Sequence, residues 1–347
     1  MTMINPDHQT DSYRYILPEE QIAQTPLKQR SLSRMLVYNR QKNRTEDQVF
    51  KDIVEYLDHN CVLVRNATRV VPLRFEFQKT TGRRIELLIV GILGNGQYEV
   101  IMSHSDRVHD GETIELVKDR TIGCHVVSGQ GKQTRIVELV NVDDFELFAN
   151  QYGQVPTPGY IVGGIPLEQY QTIYAREGFS AAAPTVGLHM DQMTEDRTRE
   201  RGTEIIDVYL TVGIGTFTPV FADDVRDHKI HTESYEIDQL AAEQLNQARK
   251  DKKTIVALGT TTLRVLETVG NDDVICAHRG ETNIFIYPPY KCSMVDALIT
   301  NFHTSASTLL MLVSAFVGSR EKTLNLYQYA IDKEYRFLSL GDCMFIR

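Results

Sequence analysis

The 347 residues are 42% hydrophobic and 24% charged, with 16 tyrosines and 13 phenylalanines, a balance that supports a core of two-domain size and excludes intrinsic disorder. A formal charge of −9 excludes a general nucleic-acid coating protein, whose affinity comes from neutralised phosphates, but leaves room for a local basic patch at Arg83-Arg84, Arg197 to Arg201 or Lys250 to Lys253. Cys61, Cys124, Cys276, Cys292 and Cys343 are odd in number, far apart and never spaced Cys-x-x-Cys, so neither a disulfide framework nor a zinc site is indicated. The first ten residues lack the basic-then-apolar layout of a secretory signal, and the longest apolar run, Leu309 to Val317, is too short to span a bilayer; a cytoplasmic protein without a membrane partner is expected.

In chain order, Glu19 to Gln24 and Val54 to His59 read as helical. From Cys61 to Val140 the chain becomes a run of short strands, CVLVR, VVPLRFEF, RIELLIV, QYEVIMS, ETIEL, TIGCHVV and TRIVELV. They are separated by glycine turns such as Gly94-Asn95-Gly96 and Asp110-Gly111, which predicts a small antiparallel barrel or sandwich. Beyond it, Asp238 to Asp251 places Leu240, Leu245 and Ala248 on one helical stripe. Thr254 to Leu258 reads as a strand feeding a helix, Ser307 to Gly318 as a buried helix and Asn325 to Phe337 as a late amphipathic one. The expected fold is α/β: a discontinuous α/β domain of residues 1–65 and 150–347 with an inserted small antiparallel β-barrel domain at 66–149.

Three constellations carry chemistry. The strand EIIDVYLTV runs into Gly213-Ile214-Gly215-Thr216, either a tight turn needing positive φ or a place where backbone approaches a ligand closely. Gly259-Thr260-Thr261 follows a strand and opens a helix, where free N–H groups and the helix dipole favour a carboxylate or other anion, although threonine also serves as a plain cap. Arg264, one turn in, either reaches the same mouth or pairs with Glu267 at helical spacing. His189, His228, His231 and His303 sit in polar segments and titrate near neutrality, which makes them natural acid or base candidates. His228, His231 and Glu233 lack a third spaced His or Cys, so a metal is not expected.

Taken together, the segments resemble the queuosine-pathway S-adenosylmethionine:tRNA ribosyltransferase-isomerase family from about residue 12 to 346. The resemblance rests on an ordered set of blocks: Asn66 with Thr68-Arg69-Val70 and Pro72; Tyr170-Gln171-Thr172; Ala183-Pro184-Thr185 with Gly187-Leu188-His189; Gly213 with Gly215-Thr216-Phe217; His228, His231, Glu233 and Tyr235; Gly259-Thr260-Thr261 with Arg264 and Glu267; Phe285 to Pro288; Thr300-Asn301-Phe302-His303; and Tyr335-Arg336-Phe337 with Gly341-Asp342. It implies transfer and isomerisation of the ribosyl part of S-adenosylmethionine onto 7-aminomethyl-7-deazaguanine at the tRNA wobble position, giving epoxyqueuosine-tRNA, adenine and methionine. S-adenosylmethionine is then a substrate, and no metal or redox cofactor is required. The implied acid/base candidates are His189, His303, Glu233 and His231. The implied substrate-binding residues are Asn66, Arg69, Thr185, Gly213, Gly215, Thr216, Gly259, Thr260, Thr261, Arg264, Asn301 and Arg336.

Some blocks depart from the family pattern. Ala67 stands for Asp or Asn, Gln169 for Arg, Thr211 and Thr218 for His and Arg, and Thr304-Ser305-Ala306 for a Leu-Pro-Lys or Leu-Pro-Arg stretch. Fewer cations weaken contacts to phosphate or carboxylate. Two alternatives therefore stay open here: a divergent paralogue using S-adenosylmethionine with a non-tRNA acceptor or none, and a noncatalytic S-adenosylmethionine- or RNA-binding module. Oligomeric state is not legible in the residues.

Overall fold

A computed structural model describes residues 5–213, 220–270 and 274–347. In chain order its strands are β1 Arg34–Asn39, β2 Arg44–Val49, β3 Cys61–Asn66, β4 Thr68–Val70, β5 Arg74–Gln78, β6 Arg84–Gly94, β7 Gln97–Met102, β8 Thr113–Leu116, β9 Gly123–Ser128, β10 Arg135–Val140, β11 Glu177–Ser180, β12 Glu204–Leu210, β13 Glu233–Ile237, β14 Thr254–Leu258, β15 His278–Thr282, β16 Ala297–Asn301 and β17 Cys343–Ile346. The helices are α1 Phe145–Tyr152, α2 Gln192–Glu200, α3 Gln239–Lys250, α4 Thr260–Val269, α5 Thr308–Val317 and α6 Arg320–Asp332. Contacts divide the chain into two compact units: residues 1–69, 159–162 and 169–347, and residues 70–158 with 163–168.

The first unit is built on a nine-stranded sheet in the order β15-β13-β12-β3-β14-β16-β17-β1-β2. Strands β12, β3, β14 and β16 run parallel to one another. Their apolar-rich sequences suit strands covered on both faces, and alternation divides them: Val62, Val64, Ile255, Ala257 and Leu298 enter one core, Leu63, Val256, Leu258 and Ile299 the other. The first core is closed by apolar residues of α3, α4, α5 and α6, the second by Phe50, Ile53, Val54, Val186 and Met190. The outermost strand β2, RTEDQV, is polar and only partly buried, which blunts an edge otherwise open to pairing. The helix α5 begins where the Ser307 hydroxyl accepts from Leu310 N at 3.2 Å, a cap worth about 0.5–2 kcal/mol. It stops at Gly318, whose φ of 86° is the left-handed conformation glycine tolerates.

Several expected elements shift. CVLVR, read with the barrel strands, is β3 at the centre of the large sheet; a strand apolar on both faces carries no alternation to distinguish the two settings. Glu19 to Gln24 and Val54 to His59 appear as short 3-10 turns at Glu19–Gln21 and Phe50–Glu55. Leu240 of the expected stripe is exposed, and α3 instead buries Ala241, Ala242, Leu245 and Ala248. The last helix starts at Arg320, because Ser319 caps it, and ends before Tyr335.

The second unit contains a closed antiparallel barrel in the order β10-β7-β6-β5-β8-β9, a closure that removes free strand edges. Alternate residues Phe75, Phe77, Ile85, Leu87, Ile89, Val100, Met102, Ile114, Leu116, Cys124, Val126 and Val137 are buried. The buried Arg135 guanidinium donates from Nη1 to the Ser105 and Val108 carbonyls and from Nη2 to Asp110 at 2.7 Å. Phe148 of α1 stacks on Phe75 at 4.7 Å.

Candidate active site

In the first unit, β3, β12, β14 and β16 end on one edge of the sheet, at Asn66, Leu210, Leu258 and Asn301. The antiparallel strands β13 and β17 begin there, as does β1, whose Met35 lies opposite Cys343. Ligands of open α/β sheets bind outside the carboxyl ends of the strands, and the sequence-predicted residues gather along this edge in two groups.

The first group surrounds His189, the last residue of a 3-10 turn, Thr185–His189. Its Nδ1 is 2.8 Å from Ser33 Oγ and its Nε2 is 3.3 Å from Asn301 Oδ1. Asn301 Nδ2 donates to the carbonyls of Leu338 and Ser339 at 3.0 and 3.2 Å. Burial is the main influence on the imidazole, lowering it from 6.5 to about 4 against the opposing hydrogen bond to Asn301. Nearby, His303 Nε2 is 2.9 Å from Thr300 Oγ1, its N–H donates to the Tyr327 hydroxyl, and its carbonyl accepts from the Tyr15 hydroxyl. Burial lowers this ring too, to about 3. Both imidazoles are therefore neutral near pH 7, able to accept or donate a proton but not to act as standing cations.

A shallow pocket opens beside this group, and its walls include Arg30, Ser33, Gln169, His189, Ser339 and Leu340. Asp342, whose carboxyl is pushed up by burial, accepts from the backbone N–H groups of Arg34 and Arg336. The Arg336 guanidinium donates to the Thr25 carbonyl, while its Nη1 finds no acceptor among the described residues. Below His189, the turn requires a glycine at Gly187: a Cβ there would stand 1.9 Å from the Tyr174 hydroxyl. Tyr174 is fixed in turn by Arg65, which lies 3.9 Å over its ring and pairs with Asp207 at 2.6 Å and Glu195 at 2.7 Å.

The second group centres on Glu233, at the start of β13. Its Oε1 accepts from Gly213 N at 3.1 Å and its Oε2 pairs with the buried Arg264. Arg264 also donates from Nε to the Ile284 carbonyl, and its Nη2 has no acceptor among the described residues. The helical partner considered for Arg264 goes elsewhere, since the Glu267 carboxylate accepts from Ser293 N, Met294 N, Val295 N and the Tyr290 hydroxyl. Between the groups, Gly259 adopts a φ of 105°, caps α4 and donates to the Ile299 carbonyl at 2.9 Å. Thr260 is buried beside it, and Thr261 Oγ1 lacks a partner among the described residues.

The remaining predicted residues behave differently. Asn66 spends its amide on backbone, donating to Leu210 O and accepting from Leu210 N and Thr68 N. Arg69 lies in β4, and Thr185 opens the 3-10 turn. His231 is exposed two residues before Glu233, and Gly215 and Thr216 lie outside the described residues. The two groups are spread along the edge: β13 and β16 are four strand spacings apart, roughly 19 Å at about 4.8 Å per spacing. A ligand touching both groups must lie along the edge. Sequence reasoning missed Arg30 and Ser33, at the start and the cap of a 3-10 turn before β1, and Ser339, in the loop before β17, none of which carries a motif of its own.

A family model described as queuosine biosynthesis protein matches residues 10–346. The chain belongs to that family. Among curated relatives, the S-adenosylmethionine:tRNA ribosyltransferase-isomerases of Thermosipho africanus and Staphylococcus haemolyticus are 43% and 42% identical, covering 96% and 97% of this chain and 98% and 99% of theirs. A crystal structure of S-adenosylmethionine tRNA ribosyltransferase from Thermotoga maritima is similar at 30% identity and a TM-score of 0.56, covering 96% of this chain and 99% of that one.

Within this family frame the departures have defined places. Gln169 faces the pocket. Ala67 is buried and donates to the Val208 carbonyl, and Thr211 donates to that of Ser234. Ala306 adopts a φ of 54° and donates to the Tyr13 carbonyl at 3.1 Å. Thr218 lies outside the described residues. Among the described residues no helix is long and apolar enough to cross a membrane.

Proposed function

We propose that the protein transfers and isomerises the ribosyl moiety of S-adenosylmethionine onto the aminomethyl group of 7-aminomethyl-7-deazaguanine in tRNA, releasing adenine and methionine, and that it works in the cytoplasm. The observation that carries this reading is the near-full-length match to relatives bearing that name, at 43% identity over 335 residues for the Thermosipho africanus protein. The sheet edge supplies chemistry of the right kind. The sulfonium acidifies the ribose 5′ carbon, and a neutral imidazole, half-buried His303 or buried His189 through Ser33, is the group to accept a proton there. Glu233, bound to Arg264 and to Gly213 N, holds the main chain beyond β12 at Gly213. Arg336 Nη1, Arg264 Nη2 and the N-terminus of α4 offer unsatisfied donors for acceptor-rich parts of the substrates.

The test incubates the pure protein with S-adenosylmethionine, with and without tRNA carrying the aminomethyl-deazaguanine, and quantifies adenine and methionine by mass spectrometry. Equal release of both, dependent on that tRNA, is the expected result. Equal release without tRNA would place the acceptor elsewhere, and binding without release would make the chain a noncatalytic module.

A further inference from the structure

We propose that Asn301 is a positioning residue: it holds buried His189 in the Nε2–H tautomer, so that the ring's basic nitrogen, Nδ1, faces the Ser33 hydroxyl on the pocket wall. Its place is thereby distinct from the substrate contact that the family resemblance implies for Asn301.

The argument starts at the amide. Asn301 Nδ2 donates to two backbone carbonyls, Leu338 O at 3.0 Å and Ser339 O at 3.2 Å. Carbonyls only accept, so exchanging the amide's oxygen and nitrogen would set an acceptor against two acceptors in a buried place, where each unmet group costs about 1–3 kcal/mol. The orientation is therefore fixed and Oδ1 is left facing His189 Nε2 at 3.3 Å. An oxygen there calls for a proton on Nε2. A neutral ring carries one proton, so Nδ1 becomes the acceptor and takes the Ser33 O–H at 2.8 Å. The Arg30 carbonyl, 3.0 Å from the same oxygen, is the competing acceptor for that hydroxyl proton, which lets Ser33 turn between the imidazole and the main chain. His189, Asn301 and Ser33 are 5%, 3% and 4% exposed, so water does not replace these partners. Ser33 and His189 both line the pocket, and Ser33 is the hydroxyl through which the imidazole meets a ligand. Fixing a tautomer through a second hydrogen bond is how an orienting group sets the direction of proton transfer.

The inference rests on the proposed activity only in its turnover arm. The primary measurement needs no substrate: full-length protein with nitrogen-15 histidine, two-bond proton–nitrogen correlation at pH 7, and His189 assigned by the loss of its signals in His189→Gln. The expected pattern is a protonated Nε2 and a bare Nδ1; the reverse pattern overturns the proposal. Ser33→Ala is expected to keep the wild-type tautomer, and a switch there would make Ser33 the determinant and overturn the role of Asn301. In Asn301→Asp, which trades both amide donors for an anion, the ring should take a second proton at pH 7, and kcat should fall by on the order of 10²-fold with KM unchanged. An unaltered kcat overturns the positioning role. Wild-type protein with the expected tautomer and no turnover upholds the positioning of His189 and removes the proposed activity instead.

Discussion

His189 and His303 sit at the carboxyl edge of the parallel strands, and burial takes each imidazole from 6.5 down to about 4 and about 3. Their folded values lie below the unfolded one, so the unfolded chain takes up the proton first as pH falls. Their contribution is intact above about pH 6.5 and is lost progressively through the window from 6.5 down to about 4, at on the order of 1.4 kcal/mol per pH unit for each ring. Urea unfolding at several pH values between 7.5 and 4.5 checks this: wild-type stability should fall across the window, and His189→Gln should fall less steeply by about one proton's share. Equal slopes would show that His189 is not held neutral by the fold. The candidate histidines were readable in the sequence because imidazole is scarce and chemically distinctive. Ser33 and the bonds of Asn301 were not, since the serine lies 156 residues from His189 in the chain and the asparagine 112, and neither residue type announces such a partner.

At the scale of elements, the start of β13 and the first turns of α4 are joined by Glu233 and Arg264, 5% and 7% exposed at their side chains. Glu233→Gln leaves a buried guanidinium without its counter-charge, a change that costs about 3–5 kcal/mol when one partner of a buried pair is removed. A urea-denaturation midpoint lowered accordingly is expected, whereas a shift of less than about 1 kcal/mol would mean that the pair is effectively solvated. Spacing alone suggested a second partner for Arg264, the Glu267 three residues on. The structure sends that carboxylate to three backbone N–H groups at residues 293–295, which helical periodicity cannot reveal because they come from a different loop. The barrel strands, by contrast, were legible: β5 and β7 alternate strictly between buried and half-buried residues, and their turns are marked by glycine. The membership of β3 was hidden by its own composition: its first four residues are apolar and all six are buried, Arg65 among them on Asp207 and Glu195, so no alternation marks its setting.

For the molecule as a whole, the family signal is spread from residue 10 to 346, so no single block carries the assignment. The order of blocks was visible in the sequence; the order of strands in the sheet was not, because β3 is flanked by β12 and β14, neighbours supplied by segments well over a hundred residues away. That ordering is what spaces Glu233 from His303 and gives the edge its length. The central claim is that the ribosyl group, and not the methyl group, leaves S-adenosylmethionine for the tRNA. Its most direct test supplies S-adenosylmethionine labelled separately in the ribose carbons and in the methyl group, with tRNA bearing the aminomethyl-deazaguanine, and counts each label in the recovered tRNA. The account predicts ribose label in the tRNA and methyl label in free methionine; methyl label in the tRNA, or neither label there, would contradict it.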